Sequence, residues 1–207
     1  VYTNDSNQNL LFDLSSNLDE NMVRLANQKN YNINMGAKGY VFNGNAERPY
    51  LTDTKIEPVN YYGQTKADGE QMAIAANDNT IIIRTSWVFS SHGNNFVKTM
   101  MRLMKDKDAL NIVGDQRGRP TYAKDLALAT IQILIALNAG TEIKGIYHYA
   151  NAGETTWFKF AEKIKELAGL ECNLTAITSD QFPTPAKRPS YSVLDTHKIE
   201  KDLGVHI

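Results

Sequence analysis

The sequence predicts an α/β protein with a doubly wound parallel sheet, and three features of the 207-residue chain support this prediction. Apolar residues recur at helical spacing in several segments, short β-branched runs lie between them, and the two kinds of segment alternate. Strands that alternate with helices of about 10 to 15 residues are typical of a parallel sheet with crossover helices. The 42% hydrophobic and 22% charged content is typical of a globular chain that buries a core.

The first half of the chain is predicted to fold as helix, strand, loop, helix and strand. Apolar spacing predicts a helix over 18–29, and alternation predicts a strand within 31–44 that breaks at its Asn-Gly pair. The polar, Pro-containing stretch 45–60 is a predicted loop, and 64–76 has helix-forming composition. Residues 80–89, TIIIRTSWVF, form a β-branched run between polar segments, which predicts a buried strand.

The second half continues the alternation. Amphipathic spacing and long apolar runs predict helices over 95–105, 122–137 and 156–169, the last of which ends at a glycine. Short apolar and β-branched stretches predict strands over 110–115, 145–151 and 173–178.

Composition argues against several classes of function. A formal net charge of -1 and a pI near 6.5 provide no basic surface for nucleic acid. The longest apolar run is too short to cross a bilayer, so no membrane partner is expected. The single cysteine, Cys172, excludes an internal disulfide framework, and with no secretion segment recognised it favours a cytoplasmic protein. The four histidines lack metal-ligand spacing, so the residues predict no metal site.

The stretch 58–71, PVNYYGQTKADGEQ, places Tyr62 and Lys66 four residues apart. Chance alone is expected to produce about 0.7 Tyr-x-x-x-Lys pairs in a chain of this composition, so the pair is informative only in context. That context is a predicted helix start between two predicted strands, and doubly wound sheets bind ligands at the carboxyl ends of their strands. The alternative is a surface tyrosine beside a solvated lysine.

Six stretches, in unbroken order from about Tyr40 to Val205, closely resemble one family. They are YVFNG (40–44), PVNYYGQTKADGE (58–70), RTSWVFSSHGNNFVKTM (84–100), DQRGRPTYAKDLA (115–127), IYHYANAGETTWFKFA (146–161) and PTPAKRPSYSVLD (183–195). The family is the dTDP-4-dehydrorhamnose reductases, which are extended short-chain dehydrogenases/reductases. The resemblance implies that 1–90 plus 122–151 form the remainder of an NAD(P)-binding Rossmann domain. It likewise implies that 91–121 plus 152–207 form a smaller nucleotide-sugar-binding region.

The reaction that this resemblance implies is reduction of the C4 carbonyl of dTDP-4-dehydro-L-rhamnose to dTDP-L-rhamnose. This is the last step of dTDP-rhamnose biosynthesis, which supplies cell-surface polysaccharides. Tyr62 would protonate the carbonyl oxygen, and Lys66 would favour the tyrosinate and bind the nicotinamide ribose. NADPH or NADH is the implied cofactor, with Tyr2 as a third contact. The family also implies a homodimer and allows a Mg²⁺ ion.

Five residues are substrate-binding candidates by the same resemblance: Trp87, Asn94, Asn95, Gln116 and Arg188. Several of them have an ordinary structural alternative. Trp87 could be a core aromatic residue, and either asparagine could cap the following helix. Arg188 could bind a diphosphate through its guanidinium or form an ordinary surface ion pair.

Two departures from the family pattern keep other functions open. Lys38 lies where the family has a threonine that holds the substrate carbonyl, and no glycine-rich phosphate loop precedes Tyr62. We therefore expect the N-terminal glycine-loop half of the Rossmann domain to be absent from this chain. A catalytically impaired regulatory or binding homologue would fit these departures, and another nucleotide-sugar epimerase or dehydratase would share Tyr62 and Lys66.

Overall fold

The computed structural model describes residues 31–37 and 39–207. Its strands are β1 (Asn32–Ala37), β2 (Thr80–Thr85), β3 (Val88–Phe89), β4 (Ala109–Val113), β5 (Arg117–Gly118), β6 (Thr121–Tyr122), β7 (Gly145–His148), β8 (Thr155–Thr156) and β9 (Asn173–Ile177). Its α-helices are α1 (Tyr61–Ala76), α2 (Phe96–Asp106), α3 (Ala123–Asn138), α4 (Trp157–Ala168) and α5 (His197–Leu203), with 3-10 helices at Gly39–Val41 and Ser179–Gln181. The predicted helix over 18–29, Tyr2 and Lys38 lie outside the described residues.

A parallel three-stranded sheet with the order β1-β2-β7 positions the candidate site. All six residues of β2 are buried, because this strand lies between two others and packs on both faces. Ile81 and Ile83, on one face of β2, join a core with Ile133 of α3 and Ile199 of α5. The α/β class with parallel strands and helical crossovers is therefore confirmed.

The helices begin and end close to the predicted positions because local capping residues set their ends. α1 begins three residues before the predicted 64–76, since the Asn60 side chain caps it. α4 ends at Gly169, which adopts the left-handed conformation with φ 59°. α5 was not predicted, because its seven residues are too few to establish a helical period.

Two predicted strands are each divided in the structure. Trp87 has φ 48°, which ends β2 at Thr85 and directs β3 away from the sheet, so the single strand predicted over 80–89 is wrong. β3 pairs instead with β6, in parallel. Within 31–44 the chain forms β1 and then the 3-10 helix Gly39–Val41 rather than one strand. Both divisions occur at the carboxyl ends of neighbouring parallel strands, where the candidate site lies.

A second, smaller parallel sheet pairs β4 with β9. Helices α2 and α4 pack against it around a core that contains Met100, Met104, Ile112, Ile164 and Cys172. Alternation in the sequence predicted these strands and helices but not that they form a sheet apart from β1-β2-β7. None of the helices in the described part of the chain combines the length and apolar character that crossing a membrane requires.

Candidate active site

The first turn of α1 is fixed by one asparagine. Asn60 Oδ1 accepts a hydrogen bond from the Gly63 amide at 2.7 Å, which satisfies a backbone donor that the helix itself leaves free. The other end of the same side chain donates to the Lys187 carbonyl oxygen at 2.7 Å. Asn60 therefore fixes the position of Tyr62 and joins it to the segment that precedes Arg188.

Gly63 allows α1 to approach the backbone of the neighbouring 3-10 helix. A Cβ added at Gly63 would lie 2.2 Å from the Tyr40 carbonyl oxygen and 2.8 Å from the Pro58 Cβ, distances that no side chain can occupy. The close approach brings the Tyr62 ring edge-to-face against Tyr40, with centroids 5.5 Å apart. Tyr62 can therefore occupy this position only because the residue that follows it, Gly63, has no side chain.

Tyr62 and Lys66 are brought together as their spacing predicts. The Lys66 ammonium lies 5.2 Å from the centroid of the Tyr62 ring, and Tyr62 is 45% exposed. Burial raises the pKa of Tyr62, and the adjacent Tyr40 raises it further. A nearby cation such as the Lys66 ammonium would lower the pKa of a phenol, so the pKa of Tyr62 is shifted in the opposite direction to the one expected from Lys66. The phenol therefore holds its proton at neutral pH and remains accessible from solvent.

Trp87 is held by aromatic stacking and by a glycine. Its indole stacks on Trp157 with centroids 3.6 Å apart and an interplanar angle of 11°. A Cβ added at Gly118 would lie 2.5 Å from the Trp87 Cε2, so the indole rests directly on the backbone of β5. A positive φ at a tryptophan costs free energy and persists where surrounding contacts stabilise it. Trp157, the first residue of α4, supplies one of those contacts.

Four small residues connect the two aromatic sides of the site, and we call them the site floor: Gly39, Ser86, Gly118 and Ser192. A Cβ added at Gly39 would lie 3.5 Å from the Cβ atoms of Ser86 and Ser192, and one added at Gly118 would lie 2.8 Å from Ser192 Oγ. Gly39 precedes Tyr40, which contacts Tyr62, and Ser86 precedes Trp87. The site floor therefore links the segment that carries Tyr40 to the segment that carries Trp87, beyond the carboxyl ends of β1 and β2.

The serines of the site floor are not prominent in the sequence. Ser86 Oγ donates to the Arg119 carbonyl oxygen at 2.8 Å, and Ser192 Oγ donates to the Arg117 carbonyl oxygen at 3.1 Å. Both hydroxyls thus hold the loop that carries Gly118. The signal that could have found them is that each is a small polar residue within a recognised stretch.

The remaining predicted substrate residues differ in how free their side chains are. Asn95 caps α2: its Oδ1 accepts from the Lys98 amide at 3.2 Å, and its Nδ2 donates to the Ser90 carbonyl oxygen at 2.7 Å. Asn94 is exposed. Gln116 is 7% exposed, and its Nε2 donates to Ser179 Oγ at 2.9 Å. Asn95 and Gln116 are thus engaged in intramolecular bonds, whereas Asn94 is open to solvent.

Arg188 and Arg117, both near the site, have different surroundings. Arg188 is exposed and forms no ion pair with any residue that the structure describes. Arg117 pairs with Glu154, and its guanidinium lies 5.5 Å from the Tyr191 ring centroid. Arg188 is accordingly the more accessible cation for a phosphate group. Within residues 31–37 and 39–207, no cluster of three or more His, Cys, Asp or Glu side chains has the arrangement of a metal site.

Comparison with known proteins shows which family the chain resembles. Residues 3–207 match the family model described as RmlD substrate binding domain. The spore coat polysaccharide biosynthesis protein SpsK of Bacillus subtilis is 41% identical over 166 residues, which are 80% of this chain and 56% of that protein. A dTDP-4-dehydrorhamnose reductase of Aggregatibacter actinomycetemcomitans is 42% identical over 173 residues, which are 80% of this chain and 59% of that protein.

A solved structure is similar over the same part of the chain. The crystal structure of dTDP-4-dehydrorhamnose reductase from Bacillus anthracis, in complex with NADP, superposes with a TM-score of 0.77 at 34% identity. The match covers 82% of this chain and 58% of that one. The chain thus spans less than three fifths of the length of these relatives.

Proposed function

Because this chain belongs to the RmlD substrate binding domain family, we propose that it acts in the reduction of dTDP-4-dehydro-L-rhamnose to dTDP-L-rhamnose. The observation that carries the proposal is the protonated, half-exposed Tyr62 phenol beside the Lys66 ammonium, at the carboxyl ends of β1 and β2. Ligands of parallel α/β sheets bind at these strand ends. The named reductases among the relatives support this choice of reaction.

In this proposal Tyr62 is the general acid. The C4 carbonyl carbon accepts a hydride, the carbonyl oxygen takes the proton from Tyr62 Oη, and the product is an alcohol. The transient phenolate lies near the Lys66 ammonium, which lowers the free energy of that charged state. Proton transfer from a positioned acid typically contributes about 10² to 10⁴ in rate. A tyrosine is protonated at neutral pH, and burial, which raises the pKa of Tyr62, favours the same state.

The cofactor we propose is NADPH or NADH, which supplies the hydride when bound. The fit rests on Tyr62, which is 45% exposed, and on Lys66, which pairs with no carboxylate in the described part of the chain. Lys66 would donate to the nicotinamide ribose, and Tyr62 would contact the nicotinamide end. Tyr2 remains a third proposed contact. The NADP complex of the Bacillus anthracis reductase supports the choice of dinucleotide.

The substrate is proposed to lie between Tyr62, Trp87 and the loop 115–121. The partly exposed Trp87 indole would provide an apolar wall for the nucleotide-sugar, and the Arg188 guanidinium would donate to its diphosphate. Asn94 is open to further polar contacts. Asn95 and Gln116 would contribute mainly by holding their segments, since both already make intramolecular hydrogen bonds.

The wider setting follows from the same proposal. We propose a cytoplasmic enzyme of cell-surface polysaccharide biosynthesis that acts as a homodimer. Its cofactor domain would comprise 1–90 plus 122–151, and its nucleotide-sugar-binding region would comprise 91–121 plus 152–207. No nucleic-acid or membrane partner is proposed, and no metal ion is required for the steps assigned to Tyr62 and Lys66.

The test is turnover by the protein produced from its complete reading frame. Oxidation of NADPH and of NADH is measured with dTDP-4-dehydro-L-rhamnose as substrate, for the wild type and for Tyr62→Phe. We expect Tyr62→Phe to lower kcat about 10² to 10⁴-fold, because it removes the proton donor and little volume.

The matched control is Tyr61→Phe, which removes the hydroxyl of the adjacent tyrosine, 83% exposed. It should keep kcat within about twofold of the wild type, since an exposed hydroxyl away from the site has no proton to deliver. A Tyr62→Phe enzyme with wild-type kcat would remove Tyr62 from the mechanism. A wild-type protein without turnover would overturn the proposed reaction.

A further inference from the structure

A buried ion pair joins α1 to the centre of the sheet. Glu70, in the third turn of α1, and Arg84, in β2, are each about 1% exposed. Arg84 Nη2 donates to Glu70 Oε2 at 2.8 Å, and Arg84 Nε donates to Oε1 at 3.0 Å. Two parallel donors on one carboxylate fix direction as well as distance.

The guanidinium of Arg84 is itself held from several sides. Its Nη1 donates to the Thr52 carbonyl oxygen at 3.2 Å and lies 3.4 Å from His148 Nε2, and the Phe42 ring centroid is 5.2 Å away. Burial and the neighbouring Arg84 lower the pKa of His148 to about 3, against smaller opposing effects of Tyr50 and Asp195. His148 is therefore neutral and can accept a hydrogen bond from Arg84. These contacts fix the orientation of the Arg84 guanidinium, and so they fix the position of the donors that Glu70 binds.

Beyond the contacts of Asn60 and Gly63 at its first turn, helix α1 has few other means of fixing its rotation about its axis. Its buried residues are Gly63, Ala67 and Glu70, of which only Glu70 has a long side chain. The large apolar residues Tyr61 and Met72 are 83% and 72% exposed. An amphipathic helix is usually oriented by a stripe of buried apolar side chains. In α1 the corresponding directional contact is the Glu70 carboxylate.

The spacing along α1 connects this contact to the candidate acid. Tyr62, Lys66 and Glu70 follow one another at intervals of four residues and form one stripe along the helix. A rotation of α1 that moved Glu70 away from Arg84 would turn Tyr62 and Lys66 by the same angle. A displacement of about 1 Å at a reacting group can cost about 10²-fold in rate.

We propose that Glu70 is a positioning residue: its paired hydrogen bonds to Arg84 set the rotation of α1, so that Tyr62 and Lys66 face the site floor. Glu70 itself touches neither substrate nor cofactor. The catalytic consequence rests on the proposed function, whereas the effect on α1 does not depend on it.

The test uses Glu70→Gln in the protein produced from its complete reading frame, with Asp68→Asn as the matched control. Both variants remove one carboxylate from α1, but Asp68 is exposed, and among the described residues its carboxylate accepts a hydrogen bond from Gln64 alone, at 2.7 Å. Glu70→Gln should lower kcat about tenfold or more with a smaller change in KM, because misalignment affects the reacting groups most. Amide hydrogen exchange at 61–66 should quicken by about tenfold. Asp68→Asn should leave both measurements near wild type.

A second variant separates positioning from simple stability. Replacing a buried ion pair by apolar side chains often restores stability, so Glu70→Met combined with Arg84→Met is expected to unfold at a urea concentration near that of the wild type. Positioning predicts that kcat stays low and exchange at 61–66 stays fast in this stable variant. Recovery of both with stability would overturn the proposal, as would unchanged exchange in Glu70→Gln. If the wild type has no turnover, the proposed function fails, and the exchange measurements still decide the role of Glu70.

Discussion

The two aromatic sides of the candidate site are held in place by different means. Tyr62 is positioned through the main chain, by the Asn60 cap and the close approach at Gly63, and its own side chain remains 45% exposed. Trp87 is positioned through its side chain, by the stack on Trp157, while its main chain adopts φ 48°. A group that must transfer a proton needs an accessible hydroxyl, whereas a wall needs a rigid surface. Main-chain contacts leave the side chain of Tyr62 accessible, and side-chain stacking makes Trp87 rigid, so each residue is held in the way that its proposed role requires.

The side that depends on the main chain should be the more sensitive to one added methyl group. Gly63→Ala places a Cβ against the Tyr40 carbonyl oxygen, which belongs to backbone and cannot rotate away. We expect a loss of about 3 kcal/mol in the free energy of unfolding, at the upper end of overpacking costs. Any remaining folded protein should have a strongly reduced kcat, since Tyr62 is adjacent. Urea denaturation and steady-state kinetics measure the two effects.

Gly69→Ala is the control for this prediction because it lies in the same helix. A Cβ added there meets no described atom within 4 Å. Alanine is the better helix former, so Gly69→Ala should stabilise the protein by about 0.5 to 1 kcal/mol. Equal effects of the two substitutions would show that contact with Tyr40 does not decide the position of α1.

The side that depends on stacking should respond more moderately. Gly118→Ala presses a methyl group against the Trp87 indole, which can shift with its partner Trp157. We expect a loss of about 1 to 3 kcal/mol in stability. KM for the nucleotide-sugar should rise more than kcat falls, because the wall moves and the acid does not.

The contact between Gly118 and Trp87 can be isolated with a double-mutant cycle. Trp87→Leu removes the ring that the new methyl group would strike. The effects of Gly118→Ala and Trp87→Leu on stability should therefore be non-additive by about 0.5 kcal/mol or more. Additive effects would mean that the cost at Gly118 arises elsewhere, for example at Ser192 Oγ, which is 2.8 Å from the same position.

The elements that the sequence predicted well are those whose signals are local. The asparagine, threonine and glycine caps of α1, α2 and α4 act within a few residues, so the predicted bounds of these helices lie close to the observed ones. The β-branched run likewise places the start of β2 at Thr80, although not its end. The pairing of Tyr62 with Lys66 is local too, because helical spacing alone brings them together.

The features that sequence did not reveal depend on long-range contacts. The break at Trp87 requires Trp157 and Gly118, which come from distant segments, to offset an unfavourable φ. The burial of Gln116 depends on Ser179, and the assignment of β4 and β9 to their own sheet depends on pairing across the chain. The pKa of Tyr62 is likewise raised by burial and by the neighbouring Tyr40, and the nearby lysine does not reverse this direction.

The smallest effect is expected from replacing two asparagines that both cap a helix. Asn60 and Asn95 both cap an α-helix through Oδ1, and replacing either with alanine should cost about 1 kcal/mol of stability. Only Asn60 precedes the candidate acid. Asn60→Ala should therefore lower kcat several-fold while Asn95→Ala leaves it close to wild type, as measured by steady-state kinetics on two variants whose urea midpoints fall by the same amount.

Asn60→Asp keeps the cap but cannot donate to the Lys187 carbonyl oxygen. It should therefore recover stability and kcat, while a mobile 187–188 segment raises KM. If Asn60→Ala and Asn95→Ala affect kcat equally, the first turn of α1 does not set the position of Tyr62, and the contrast between a main-chain-held acid and a side-chain-held wall is lost.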